Sequence, residues 1–345
     1  MLEFANDSLE FSIGLFLISA LAIVISGTFM TAIADRLAKE TGLGEALMGA
    51  LFLGFSTSLP GIVTSVAAAA GGYPELAIGN ALGDIAAQTA FLGIADITYL
   101  ETNLEYSAAT AATLTQGTLL IVLLAIPLLA VGYPSVTFWG IHPASFGLIA
   151  AYLFGLRLVA AAQSLPMWKP NNTGETIVDK PEAAEPNSPG LIGLWLRFFL
   201  LAAVLGVAGY GVEQAGVFIA NSTSLSQNVV GSLFTALSTS LPELVTTVVA
   251  VRRGALTLAV SGVLGGNTFD VLVLALCDVA FRNGSIYQAL TQREVFVLAL
   301  TILMTGILLL GLLRREEHGI GNIGFESVFL LLLYVGGFAL VFFSN

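Results

Sequence analysis

The chain has 345 residues, 56% of them hydrophobic and 10% charged, with a net charge of −11 and a mean hydropathy of +0.90. Soluble domains carry about 25% charged residues, so this composition excludes a soluble globular protein. Long apolar runs recur where a barrel would show short alternating strands, which points to an all-α integral membrane protein. One cysteine, Cys277, excludes an internal disulfide and a cysteine metal cluster, and the two histidines, His142 and His318, are too few and too far apart for a zinc site. Much of the acidity lies outside the apolar runs, at Glu3, Asp7 and Glu10 and at Glu175, Asp179, Glu182 and Glu185. These read as solvated ends. Residues 1–10 have no basic n-region, so a cleaved signal peptide is not expected.

A membrane span needs about 20 apolar residues. In chain order the candidates are 11–35, 44–70, 75–98, 107–132 and 137–161, then 191–220, 226–251, 255–281, 291–313 and 322–343. The stretch from Pro166 to Pro189 is rich in Pro, Asn and Glu and reads as a hydrophilic linker. The expected organisation is a first half over 1–161, a cytoplasmic linker over 162–190 and a second half over 191–345. The sequon Asn171-Asn172-Thr173 falls in the linker and reads as a chance match.

Basic residues set the orientation. With the N-terminus outside, the inner loops and helix ends hold Arg36, Lys39, Arg157, Lys169, Lys180, Arg197, Arg252, Arg253, Arg314 and Arg315. The outer side holds Arg282 and Arg293. Both termini are therefore expected outside a plasma (inner) membrane.

The sequence Ser56-Thr57-Ser58-Leu59-Pro60 recurs unchanged as Ser238-Thr239-Ser240-Leu241-Pro242, at an offset of 182 that holds without insertion from Leu43/Leu225 to Asp96/Asp278. The two copies fall on spans two and seven. Five spans per half is an odd number, so the copies run in opposite directions. The expected fold is ten transmembrane helices arranged as two inverted five-helix repeats.

The second copy continues to Glu243. Thr239 and Glu243 are i and i+4, on one face of a helix, and Pro242 between them disrupts the turn and frees a carbonyl. Ser240 adds a hydroxyl. The next span brings Gly265-Gly266-Asn267-Thr268-Phe269-Asp270, with an amide and a carboxylate. The first copy offers Thr57 and Ser58 but has Gly61 where Glu243 would be. Its following span carries Asp84 and Gln88, again i and i+4, aligned with Gly266 and Asp270. Pooled, the halves supply the carboxylates Asp84, Glu243 and Asp270 near mid-membrane. A charge there costs about 2.5–3.5 kcal/mol or more, so three together point to function. Oxygen-only ligands suit hard cations. Pro60 and Pro242 are both expected to break their helices. Asp96 and Asp278 read as interfacial, Glu213 as a further buried acid opposite Thr31, and Cys277 as a packing residue. Replacement of Gly61 by alanine is expected to be mild.

This pattern resembles the α-repeats of the cation/calcium antiporter superfamily, particularly its sodium/calcium exchanger branch. That family's signature is Gly-Thr-Ser-Leu-Pro-Glu on one helix and Gly-Ser-Asn followed by a late Asn or Asp on the next, once per half. Thr239-Ser240-Leu241-Pro242-Glu243 matches beyond the glycine, Gly265 to Asp270 nearly so, and Thr57-Ser58-Leu59-Pro60 until Gly61. The resemblance implies a ten-span, five-plus-five inverted architecture. It also implies that Thr57 and Thr239 offer backbone carbonyls and Glu243 a bidentate carboxylate to calcium. The family's serine is replaced by Asp84 and Gly266, and its last ligand by Gln88 and Asp270.

The implied function is secondary-active exchange of calcium for sodium by alternating access, with Thr57, Ser58, Asp84, Gln88, Thr239, Ser240, Glu243 and Asp270 as the ion ligands. One alternative on the same scaffold is proton-coupled cation exchange or sodium/proton antiport, because the missing acid at Gly61 removes a ligand that calcium favours. A remote alternative is an intramembrane aspartyl protease, whose Gly-Asp Leu82-Gly83-Asp84 loosely resembles, with Asp270 as partner; the duplication has no explanation there. No enzyme activity and no cofactor are expected. The expected partners are inorganic cations and the lipid bilayer, not nucleic acid, with the chain a monomer.

Overall fold

The computed structural model describes residues 8–41, 45–99, 104, 108–132, 136–164, 190–314 and 323–343. The linker acids, the sequon, Glu3, Asp7 and His318 lie outside them.

Among the described residues, five named helices make up the first half: α1 (Leu9–Thr41), α2 (Glu45–Ala70), α3 (Pro74–Ile97), α4 (Ala111–Val131) and α5 (Pro143–Ser164). The second half contains α6 (Leu191–Ser222), the bent pair α7 (Gln227–Thr239) and α8 (Leu241–Arg252), then α9 (Leu256–Ala280), α10 (Gln292–Arg314) and α11 (Phe325–Phe343). Among the described residues, seven helices are long and apolar enough to cross a membrane, or eight if the bent pair is one span. The second and third expected spans correspond to α2 and α3; α3 carries Asn80, Asp84 and Gln88 and is correspondingly polar. Large apolar side chains such as Leu17, Phe29, Leu196 and Leu332 are exposed on the outside of the bundle, as a lipid-facing surface requires.

Local chemistry sets the helix ends. Pro74 opens α3 at a position where its missing N–H is harmless. Thr110 and Thr113 form a reciprocal cap at the start of α4, and the Ser226 hydroxyl accepts from the Val229 N–H at the start of α7.

The two proline motifs behave differently. Residues 45–70 run as one helix through Pro60. In the second half the chain passes through a π-helical segment, Val230–Thr235, and then turns by 47° at Ser240 before α8. The expected break at Pro60 is thus absent, because one missing hydrogen bond within a helix can be absorbed by its neighbours in the bundle. The break at Pro242 is present. Consequently Thr239 closes α7 while Glu243 sits in the first turn of α8, so the two share no continuous helical face.

Glycine lets the core helices touch backbone to backbone. A Cβ at Gly83 of α3 would lie 2.3 Å from the Ser232 carbonyl oxygen, and one at Gly231 of α7 would lie 2.5 Å from that of Leu76. Other contacts recur at the 182-residue offset. A Cβ on Gly27 of α1 would meet Pro242 Cγ at 2.6 Å, and one on Gly209 of α6 would meet the Pro60 carbonyl oxygen at 2.7 Å. Each glycine thus seats the proline of the opposite half. Helices α1 and α6 share their own apolar cluster, Ile23, Met30, Ala34 and Leu37 against Leu194, Phe198, Leu205 and Val212, separate from the main core.

Asp96 and Asp278, near the ends of their helices, are fully buried in the protein. Asp96 accepts from the N–H of Leu104 at 3.1 Å and of Gly324 at 3.2 Å. Asp278 accepts from the N–H of Ile286 at 3.0 Å and of His142 at 2.7 Å. These four donors are themselves related by the offset. Each aspartate therefore ties the loop after its own helix to the segment preceding the last helix of the other half.

Candidate ion site

The polar core lies where α2, α3, the α7–α8 bend and α9 meet. Asp84 is buried on α3. Its Oδ1 accepts from Thr239 Oγ1 at 2.7 Å and from Ser240 Oγ at 2.6 Å, both at the bend. Its Oδ2 accepts from Asn80 Nδ2 at 3.0 Å, one turn earlier. Asn80 is held in turn: its Oδ1 accepts from Thr235 Oγ1 at 2.6 Å in the π-helical segment, and its Nδ2 also reaches Ser65 Oγ at 3.0 Å. The same carboxylate abuts α2. A Cβ built on Gly61 would lie 2.6 Å from Asp84 Oδ2. The acid on α3 therefore fills the space that a side chain at position 61 would take.

The other side of the core is arranged reciprocally. Gln88 Nε2 donates to Asp270 Oδ2 at 2.8 Å, across from α3 to α9. A Cβ on Gly266 would lie 3.3 Å from Gln88 Oε1, so the glycine at 266 leaves room for the amide as the glycine at 61 leaves room for the carboxylate. Ser58 of α2 faces Asp270, yet its Oγ has no hydrogen-bond partner among the described residues. Glu243 of α8 is buried, and the Thr57 hydroxyl reaches its carboxylate. Its Oε2 has no partner among the described residues. Thr57, Ser58, Asp84, Gln88, Thr239, Ser240, Glu243 and Asp270 are thus gathered in one contiguous polar region by four elements.

Burial without a counter-ion dictates what this arrangement can do. Removing a carboxylate from water costs several kcal/mol unless it is paired and hydrogen-bonded. Asp84 is bonded by three side chains. Glu243 Oε2 and Ser58 Oγ are left without hydrogen-bond partners among the described residues, the condition under which a dehydrated cation is a suitable partner. Among the described residues no three His, Cys, Asp or Glu side chains come close enough to hold a metal by themselves. An ion bound here needs hydroxyl, amide or carbonyl oxygens as well, which suits hard cations.

Some expectations fall away from the site. Glu213 is buried on α6, but its bonding partner is the adjacent Gln214 at 2.8 Å. Cys277 is a fully buried packing residue. Sequence reading passed over Asn80 and Thr235. Asn80 stands i−4 to Asp84 on α3, a spacing that could have singled it out. The role of Thr235 depends on the π-helical segment, which leaves no such trace.

Comparison with known proteins identifies the family and the fold. Residues 11–161 and 193–343 each match the sodium/calcium exchanger protein family, and the two matched stretches are again 182 residues apart. The inner membrane protein YrbG of Escherichia coli is 26% identical over 325 residues, covering 93% of this chain and 96% of that protein. The sodium/calcium exchanger MaX1 of Methanosarcina acetivorans is 28% identical over 134 residues, 39% of this chain and 38% of that one. A solved structure of the sodium-calcium exchanger NCX_Mj superposes with a TM-score of 0.62 at 18% identity, covering 96% of this chain and 99% of the other, and shows a common fold. The family is one of transporters, which removes the aspartyl protease reading. This multi-pass membrane protein, with its two matched halves, belongs to the sodium/calcium exchanger protein family and is a cation/calcium antiporter.

Proposed function

We propose that the chain exchanges calcium for sodium by alternating access at the Asp84–Glu243–Asp270 core. The observation that carries this reading is the pair of buried oxygens beside Asp270, Glu243 Oε2 and Ser58 Oγ, neither of which closes a well-formed hydrogen bond among the described residues. Three carboxylates balance one divalent ion plus one monovalent ion or proton. Asp84 stands in for the acid that position 61 lacks, its carboxylate lying against Gly61. Thr57, Ser58, Thr239, Ser240 and Gln88 supply neutral oxygens. The competing bland role for Asp84, hydrogen bonding to Ser240 and Thr239, is also met in its contacts, so its replacement is a necessary test.

The architecture that goes with this reading is ten spans in two inverted halves, 1–161 and 191–345, joined by a linker over 162–190, with both termini outside. Contacts that recur at the repeat offset, Gly27 on Pro242 and Gly209 on Pro60, support it.

The test uses purified protein in sealed liposomes loaded with sodium. Calcium uptake should follow the outward sodium gradient and vanish when the gradient is collapsed. Uptake driven by a pH gradient in the absence of sodium would replace sodium with protons as the counter-ion. Flux that needs no counter-ion would mean a channel.

A further inference from the structure

The Asp96 and Asp278 ties are repeat-related, but their surroundings differ, and the difference marks one of them as more than a tie. Around Asp278 every valence is used. Its Oδ2 accepts from the His142 N–H and from Ser145 Oγ at 2.8 Å, and its Oδ1 from the Ile286 N–H and from Ser285 Oγ at 3.2 Å. The residue before Ser145 is Ala144. Around Asp96 the equivalent of Ser145 is Ser327, and the equivalent of Ala144 is Glu326. The Ser327 hydroxyl lies within reach of Asp96, but its Oγ closes no well-formed hydrogen bond among the described residues. Glu326 is 1% exposed, and neither carboxylate oxygen has a hydrogen-bond partner among the described residues.

Glu326 is not simply squeezed into the bundle. Its side chain rests on Gly311 of α10, where a Cβ would lie 2.5 Å from Glu326 Cγ and 2.9 Å from Oε2. Glycine there leaves a niche the size of the carboxyl group. The guanidinium of Arg314 lies over the Phe325 ring, 5.2 Å from its centre, rather than on the Glu326 carboxylate. An acid in the first turn of a helix is ordinary when solvated. One with its oxygens buried and unbonded is not, because the uncompensated charge costs several kcal/mol.

We infer that Glu326, Ser327 and Asp96, at the junction of α3, α10 and α11, form a second cation site, separate from the central one, that takes a small hard monovalent ion of the sodium class. The oxygens are carboxylate and hydroxyl, which select a hard cation. Asp96 is already solvated by two backbone N–H groups, so Glu326 is the carboxylate left to bind an ion. One free carboxylate with one hydroxyl is too sparse a ligand set for the roughly six to eight oxygens a calcium ion takes.

The experiment measures equilibrium sodium binding and sodium-dependent thermal unfolding on the full chain in detergent, in a background of Glu243→Gln with Asp270→Asn that disables the central site. That background should still bind sodium, and sodium should raise its Tm. Adding Glu326→Gln should abolish both effects while leaving the sodium-free Tm equal or higher, since an unpaired buried charge is gone. Ser327→Ala should weaken sodium binding, and Gly311→Ala, by filling the niche, should do so without touching a ligand. These two keep the test decisive if the glutamine variant does not fold. The inference is overturned if the background binds no sodium, if it binds calcium in preference to sodium, or if Glu326→Gln leaves its sodium binding unchanged. Loss of transport in the background reports on the central site alone, so the two readings fail separately.

Discussion

The same five residues, Ser-Thr-Ser-Leu-Pro, lie in a helix that runs through its proline at residues 56–60 and in one that bends by 47° at residues 238–242. Proline removes one N–H and crowds the preceding turn in either place, so the motif alone does not decide the outcome. The surroundings do. Position 61 has no side chain, and its space is filled from α3 by Asp84; position 243 carries its own acid, and the bend turns Thr239 and Ser240 toward that same Asp84. The first half supplies one carboxylate, from α3, and the second supplies two, from α8 after the bend and from α9. What persists between the halves is the volume to be filled and the oxygens to be presented, not the position that presents them.

The largest expected effect comes from removing the acid that has no counterpart. Glu243→Gln should lower calcium transport by at least about 100-fold, the factor that loss of a buried charge contact of ~3–5 kcal/mol implies. Radiolabelled calcium uptake into liposomes measures it; near-normal uptake would move the site away from α8.

The sharpest way to break the comparison is to move the carboxylate back. Asp84→Ser alone should abolish or severely reduce transport. Gly61→Glu combined with Asp84→Ser should recover a substantial part of it, because the space released on α3 is the space the new side chain enters. Normal transport by Asp84→Ser would reduce that residue to a hydrogen-bond acceptor for Thr239 and Ser240. A smaller effect belongs to Gly61→Ala. The sequence suggested a mild change, but the added methyl would sit 2.6 Å from Oδ2 of an Asp84 carboxylate held by three hydrogen bonds, one on Oδ2 and two on Oδ1. Overpacking of this kind costs about 1–3 kcal/mol, so a several-fold rise in the calcium concentration for half-maximal transport is expected. An unchanged value would show that Asp84 is free to turn away.

The all-helical membrane class was legible in the apolar runs, and the residues of the candidate polar core in the duplicated motif and its following acids, because an intramembrane carboxylate is conspicuous wherever it stands. Three things were not legible. Pro60 and Pro242 are identical in local sequence, and only packing separates the continuous helix from the broken one. Gly27 and Gly209 are single glycines in apolar helices; their partners, Pro242 and Pro60, are distant in the chain. Asp96 and Asp278 read as interfacial because each lies near the end of its span, whereas their hydrogen-bond partners come from loops and from the opposite half.

The smallest predicted effect is on stability and compares those two aspartates. Asp278 accepts four hydrogen bonds, from two backbone N–H groups and two hydroxyls. Asp96 accepts two from described backbone donors. Asparagine keeps the shape but turns one acceptor into a donor, which faces donors already in place. Hydrogen bonds to a charged group contribute about 1.5–3 kcal/mol each. Asp278→Asn forfeits the pair on one oxygen, and Asp96→Asn a single bond. Thermal unfolding in detergent without sodium should therefore show Asp278→Asn losing roughly twice as much stability as Asp96→Asn. Both should retain sodium-driven exchange at low temperature, since neither residue touches the central site. An equal loss would mean that Ser145 and Ser285 contribute little to the tie. A larger loss for Asp96→Asn would mean that its tie carries more of the contact between the halves than its two bonds account for.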